Sequence, residues 1–154
     1  MSKEKLQVLY VDDERHNLTS FKATYRRDFS VHIAESAQEG LEILKENEIN
    51  VVLSDQRMPK MTGVEFFKII KKEYPEPIRI LITGYSDIEA VIDSINQGQV
   101  YRYISKPWEP NDLRLVIEQA NEVFSLRKEN ARLMESLKDS NEKLEFIARQ
   151  NLLS

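Results

Sequence analysis

Five short apolar runs, each followed by a segment of helical period, constrain this chain more than any other feature. The runs are Leu6–Val11, Val31–Ala34, Val51–Ser54, Ile78–Thr83 and Tyr101–Ser105. Near-continuous apolarity at this length fits a strand covered on both faces, as inside a parallel sheet. The segments between them repeat apolar residues at spacings of three and four: Leu18, Phe21 and Tyr25; Ala37, Gly40, Leu41 and Leu44; Val64, Phe67 and Ile70; Ile88, Val91, Ile92 and Ile95. Each set falls on one face of a helix. Ser36-x-x-Glu39, Thr62-x-x-Glu65 and Ser86-x-x-Glu89 stand where three of these helices begin. They fit the capping box, in which a hydroxyl and a carboxylate satisfy first-turn amides.

Five strand–helix units in this order require right-handed crossovers and a parallel sheet with helices on both faces. Over about 120 residues this predicts an α/β architecture, a flavodoxin-like doubly wound five-stranded sheet of order 2-1-3-4-5. From Asn111 onward there is neither Gly nor Pro. Leu113, Val116, Ile117 and Ala120 are spaced to pack on the sheet as a fifth helix. The helical pattern then continues through Val123, Leu126, Asn130, Leu133, Leu137, Ser140, Leu144 and Ile147, alternating steps of three and four. That is the seam of a left-handed coiled coil, in which a buried Asn commonly fixes register in a two-stranded pair. A seam outside the globular body needs a partner to bury it. The expectation is a folded domain over residues 1–122 and a coiled-coil extension over 123–154, pairing as a parallel homodimer through about residues 120–150.

Composition removes several classes of function. The formal net charge is −4 and no basic stripe is present, so direct nucleic-acid binding by this chain is not expected. With no cysteine there is no disulfide, thiolate metal site or thiol nucleophile. No run approaches the roughly 18 apolar residues of a membrane span, and no signal-peptide pattern opens the chain, so the expected setting is the cytoplasm. Dinucleotide binding is disfavoured because no Gly-x-Gly-x-x-Gly follows the first strand. His16 and His32 have no partner at metal-ligand spacing and read as solvated or core residues.

In an open parallel sheet, ligands bind beyond the carboxyl ends of the strands. Here those ends carry Asp12-Asp13-Glu14, Asp55, Thr83-Gly84 and Lys106-Pro107. Each has a plain structural alternative. The first acids can cap a helix, Asp55 can open a turn, and Thr83-Gly84 and Lys106-Pro107 can be turn residues. The fold, however, gathers them into one pocket. Carboxylates so close resist joint ionisation, and a divalent cation resolves the conflict. Magnesium takes oxygen ligands and is commonly held by one or two carboxylates and a phosphate oxygen. Such a pocket suits phosphoryl transfer, with an Asp as nucleophile, Lys106 and Thr83 as partners of phosphoryl oxygens, and Gly84 leaving access.

The set Val11-Asp12-Asp13-Glu14, Asp55-Gln56-Arg57-Met58-Pro59 with Gly63 following, Thr83-Gly84, and Tyr103-Ile104-Ser105-Lys106-Pro107 resembles the receiver domain of bacterial two-component response regulators. The resemblance covers about residues 5–122 and includes every motif position. It implies that Asp55 accepts a phosphoryl group from a sensor histidine kinase. It further implies that Asp13, Asp55 and the Arg57 backbone carbonyl hold Mg2+, that Asp12 acts through a bound water, and that Lys106 contacts the phosphoryl group across a cis Lys-Pro peptide. Thr83 and Tyr103 would be the switch pair, altering a surface made by the fourth helix, fifth strand and fifth helix, with Tyr101, Tyr103 and Trp108 on it. Such a module is not an enzyme beyond its own phosphorylation and dephosphorylation. Arg57 and Tyr85, each two residues past a site residue, are placed to restrict attacking water.

Two other readings compete. An aspartyl-phosphate phosphohydrolase would carry Asp-x-Asp on its first strand, whereas Asp12 and Asp13 are adjacent. A degenerate receiver acting as an unphosphorylated scaffold would have lost one of Asp13, Asp55, Thr83 or Lys106, and all are present. The sequence also resembles the front end of longer regulators, in which a signalling helix leads to an effector domain.

Overall fold

β-Branched and aliphatic side chains that fit a pleated, two-sided surface build the sheet. The computed structural model describes residues 5–84 and 87–153. Within it run β1 (Gln7–Val11), α1 (Arg15–Tyr25), β2 (Ser30–Ala34), α2 (Ala37–Glu46), β3 (Val51–Asp55), α3 (Gly63–Glu73), β4 (Ile78–Thr83), α4 (Ile88–Asn96), β5 (Arg102–Ser105) and α5 (Pro110–Leu153). The strands form one parallel sheet of order β2-β1-β3-β4-β5, the doubly wound arrangement expected. Burial follows position in that order. The central β3 and β4 are buried throughout, whereas the edge strands β2 and β5 are mostly half-buried or exposed.

Side chains alternate across the pleat, and the core accordingly divides in two. Val8, Tyr10, Val51, Leu53, Ile80 and Ile82 face α1 and the start of α5, meeting Leu18, Phe21, Tyr25, Leu113, Val116, Ile117 and Ala120. Leu9, Val11, Val52 and Leu81 face α2, α3 and α4, meeting Leu44, Phe66, Phe67, Ile70 and Val91. Phe66, Phe67 and Ile70 are fully buried. At about 1.5–3 kcal/mol for each such side chain, packing rather than intrinsic propensity holds α3 in place. On the first face the rings of Tyr10, Phe21, Tyr25 and Phe29 form a continuous series, with successive centroids 4.5, 4.8 and 5.9 Å apart. The Tyr25 hydroxyl donates to the Pro110 carbonyl at 2.8 Å and ties α1 to the first residue of α5.

The hydroxyl half of the capping signal acts as expected at two helices, while the carboxylates of Glu39 and Glu65 accept instead from the Glu35 amide and the Thr62 hydroxyl. The Glu39 amide donates to Ser36 Oγ and the Glu65 amide to Thr62 Oγ1, both at 3.2 Å. Ser36 and Thr62 are therefore N-caps of α2 and α3. The third capping box rests on Ser86, which with Tyr85 lies outside the described residues. Asp87 precedes α4, and its side chain makes no capping bond. Glu14 precedes α1 and likewise does not cap with its side chain.

The chain divides after Phe124 into two units. Phe124 is buried in the first core and Val123 packs against it, so Val123, read as the first seam residue, belongs to the body. In the second unit the apolar residues Leu126, Leu133, Leu137, Leu144 and Ile147 are all exposed, as are Met134 and Phe146. Among the described residues no helix is long and apolar enough to cross a membrane.

Candidate functional site

The carboxyl ends of β1, β3, β4 and β5 lie side by side because the sheet is parallel and in register. Val11 pairs with Ser54, Asp55 with Ile82, and Thr83 with Ser105. The residue after β1, the last of β3, the last of β4 and the residue after β5 therefore share one rim. One carboxylate oxygen from each of Asp12, Asp13 and Asp55 lies within 4.8 Å of the others. Lys106 Nζ stands 3.1 Å from Asp55 Oδ1. The Lys106–Pro107 peptide is cis, and the Lys106 amide donates to the Thr83 carbonyl at 3.0 Å, fixing the β5 end against the β4 end.

The three carboxylates sit in different environments. Asp12 is fully buried and its oxygens are engaged. Oδ1 accepts from the Glu14 amide at 2.9 Å, while Oδ2 accepts from the Tyr10 hydroxyl at 2.7 Å and from Asn17 Nδ2 at 3.1 Å. Asp13 is exposed, with no hydrogen-bond partner among the described residues. Asp55 is 8% exposed. Burial pushes its carboxyl above the ordinary carboxylate range, Lys106 pulls it back, and the charges of Asp12 and Asp13 push it up again. Tyr10 is shifted up by burial and by Asp12, so its phenol stays a hydrogen-bond donor.

Two close contacts hold Asp55 from below and behind. A Cβ at Gly63 would stand 2.6 Å from the Asp55 carbonyl oxygen and 2.6 Å from Leu81 Cδ1. Only glycine lets α3 start this near the end of β3. Gln56 folds the intervening loop: its carbonyl accepts from the Gly63 amide at 3.0 Å and its Oε1 from the Val64 amide at 3.0 Å. A Cβ at Gly84 would meet no atom within 4 Å among the described residues, its chain neighbours aside.

Thr83 is fully buried, and its hydroxyl donates to the Gly84 carbonyl at 3.1 Å. Tyr103 is half-buried against the core on the α2–α3–α4 side of the sheet. Arg57 forms a two-point ion pair with Asp87, Nε to Oδ2 at 2.9 Å and Nη2 to Oδ1 at 3.2 Å. Sequence reasoning flagged Arg57 but missed Asp87, which lies thirty positions away. It also missed the Tyr10–Asp12 bond, which the period-two geometry of a strand makes available to residues i and i+2.

The donor set fits a hard divalent cation. Three clustered carboxylates supply oxygen ligands only, and the exposed Asp13 and the destabilised charge of Asp55 both gain from a positive neighbour.

The model of the response regulator receiver domain family matches residues 8–118. The hydrogenase transcriptional regulatory protein HoxA of Cupriavidus necator is 38% identical over 154 residues, which is 100% of this chain and 32% of that protein. A putative NtrX-like response regulator of Rickettsia felis is 32% identical over 141 residues, 90% of this chain and 30% of its own length. A solved response regulator receiver domain protein from Clostridium thermocellum superposes with a TM-score of 0.74 at 34% identity, covering 79% of this chain and 98% of that one. The chain thus spans about a third of the length of these curated relatives. With its strand ends carrying Asp12, Asp13, Asp55, Thr83 and Lys106, the chain belongs to the response regulator receiver domain family.

Proposed function

We propose that this chain is a phospho-accepting receiver of a two-component relay, with Asp55 as the acceptor and a sensor histidine kinase as the donor. The pairing of Lys106 with Asp55 at 3.1 Å, inside a cluster of three carboxylates, carries this reading. Asp55 Oδ attacks phosphorus, and the bond from phosphorus to the donor imidazole nitrogen breaks, its electron pair remaining on the ring. Lys106 keeps the carboxylate ionised before transfer and offers its ammonium to a phosphoryl oxygen afterwards. Asp13, Asp55 and the Arg57 carbonyl would hold Mg2+, which neutralises phosphoryl charge when bound. Asp12 would act through a water, in keeping with oxygens already committed to Tyr10, Glu14 and Asn17.

The switch runs through Thr83 and Tyr103. A phosphoryl oxygen competes with the Gly84 carbonyl for the Thr83 hydroxyl, and the half-buried Tyr103 turns inward as Thr83 moves. The surface that changes is α4, β5 and α5. The folded body extends through Phe124 rather than stopping at 122, and the remainder is a coiled-coil extension pairing in parallel with a second copy along the seam that begins at Leu126. The exposed seam from Leu126 to Ile147 supports that pairing. HoxA matches the whole chain including this extension, so the relay is read as ending in transcriptional regulation.

Incubation with acetyl phosphate and Mg2+, followed by intact mass, tests the core of this reading. The expected result is a gain of one phosphate that is lost in Asp55→Asn. No gain would leave the scaffold reading in its place, and a gain that survives the substitution would overturn Asp55 as the acceptor.

A further inference from the structure

Asp is among the preferred residue types immediately before a helix, where its carboxylate accepts first-turn amides. Asp87 stands immediately before α4 yet caps nothing, and its backbone, at φ −104° and ψ 3°, is not in the extended conformation of a capping residue, so capping would require this residue to turn. Its carboxylate is turned to Arg57, whose guanidinium meets both oxygens. Arg57 lies two residues past the acceptor, and its guanidinium feels the charge of Asp55. The Asp87 amide donates to the Gly84 carbonyl at 3.2 Å, the same oxygen that holds the Thr83 hydroxyl. A closed series of contacts therefore runs from the loop after Asp55, through Arg57, Asp87 and Gly84, to Thr83.

We propose that Arg57 and Asp87 form a charge-exchange latch: with Asp55 unmodified, Asp87 holds the guanidinium, and a phosphoryl group on Asp55 takes it over and frees Asp87 to cap α4. The inference rests on the phospho-acceptor reading. A phosphoryl group carries roughly twice the charge of a carboxylate, so it competes with Asp87 for the arginine two residues along the chain. The Arg57 side chain is 75% exposed and that of Asp87 21%, and the pair is two-point, so the exchange depends on the larger charge of the phosphoryl group. Asp87 in turn loses one partner and gains another, since a carboxylate at a helix N-terminus is favoured by the helix dipole and by its free amides. Capping tightens the first turn of α4, and Thr83, released from Gly84 to the phosphoryl oxygens, loosens the loop from the other side.

Beryllofluoride with Mg2+, an analogue of the phosphoryl group on a carboxylate, tests this on the full chain by titration. Asp87→Asn keeps a capping side chain but gives up the charge that holds Arg57. It should bind about 2- to 5-fold more tightly than the wild type, the range set by an exposed ion pair. Arg57→Gln should bind more weakly, and in that background Asp87→Asn should change nothing. Hydrogen exchange at the Glu89 and Ala90 amides should slow on binding in the wild type, and should already be slow in unbound Asp87→Asn. An Asp87→Asn effect of the same size in both backgrounds, or none in either, would overturn the latch. Wild type that neither binds beryllofluoride nor gains phosphate from acetyl phosphate would instead overturn the acceptor reading beneath it.

Discussion

The sheet buries Arg79 near its amino end and Asp55, beside the buried Asp12, at its carboxyl end, and it treats Arg79 and Asp55 in opposite ways. Arg79, near the amino end of β4, is 6% exposed, and Asp55, at the carboxyl end of β3, is 8% exposed. Arg79 spreads its guanidinium over backbone carbonyls, with Nε on Gln99 at 2.8 Å, Nη1 on Pro77 at 3.2 Å and Nη2 on Gly98 at 3.2 Å. These contacts are all complementary, and the connection from α4 to β5 supplies two of them. Asp55 has one cation, Lys106, and two carboxylates that repel it. Equal burial thus yields a fastener at one end and a poised group at the other. Only the second has anything to gain from a cation or a phosphoryl group.

The comparison breaks first at Arg79. Arg79→Met removes the donors from four backbone carbonyls, those of Pro75, Pro77, Gly98 and Gln99, each costing about 1–3 kcal/mol when unsatisfied. Partial rescue by water brings the expected loss to about 2–4 kcal/mol, read by urea denaturation. Phosphate uptake from acetyl phosphate, measured well below the denaturation midpoint, should persist. A variant as stable as the parent would show that the amino end is not fastened by this arginine.

Gly63 lies under the poised end and comes next in size. A methyl group there meets the Asp55 carbonyl oxygen at 2.6 Å, a backbone atom that can yield only by moving the end of β3. Gly63→Ala should therefore cost about 2 kcal/mol, as overpacking does. Unlike Arg79→Met, it should also slow phosphorylation, because the displaced atom belongs to the acceptor residue. Loss of stability with an unchanged phosphorylation rate would separate the packing from the chemistry.

Why one end was legible from sequence and the other was not follows from the range of the contacts. Strand order, helix faces and the gathering of Asp12, Asp13, Asp55, Thr83 and Lys106 all follow from local periodicity and one topological rule. Each residue needed only its place at a strand end. Arg79 sat inside an apolar run and drew no attention, although a lone guanidinium in a buried strand must find oxygen partners. The fifth helix was followed to Ala120, and the next step was taken to Val123 on a 3.5 period. The helix in contact with the sheet keeps a 3.6 period and buries Phe124 as well. Phe66 was passed over for Phe67, yet α3 lies deep enough to bury both. Asp87 was read past altogether, since its role depends on a side chain from another loop.

The smallest expected effect sharpens the contrast without breaking either end. Because the Asp55 carboxyl is shifted upward, the folded protein keeps a proton there at pH values where the unfolded chain, titrating near about 4, has released it. Stability from that protonated form is complete below the unfolded value and is lost as pH rises through the folded one. Asp55→Asn, which cannot ionise, escapes the loss. Without divalent cations, its stability relative to the parent should rise from about pH 4 until the folded-state carboxyl has ionised and then level off, as followed by thermal melts. Adding Mg2+ at pH 7 should raise the melting temperature of the parent more than that of Asp55→Asn, since the cation stabilises the charge that burial and Asp12 and Asp13 oppose. A parent–variant difference that ignores both pH and Mg2+ would mean that Asp55 is as fully satisfied as Arg79, and the two ends of the sheet would no longer be opposites.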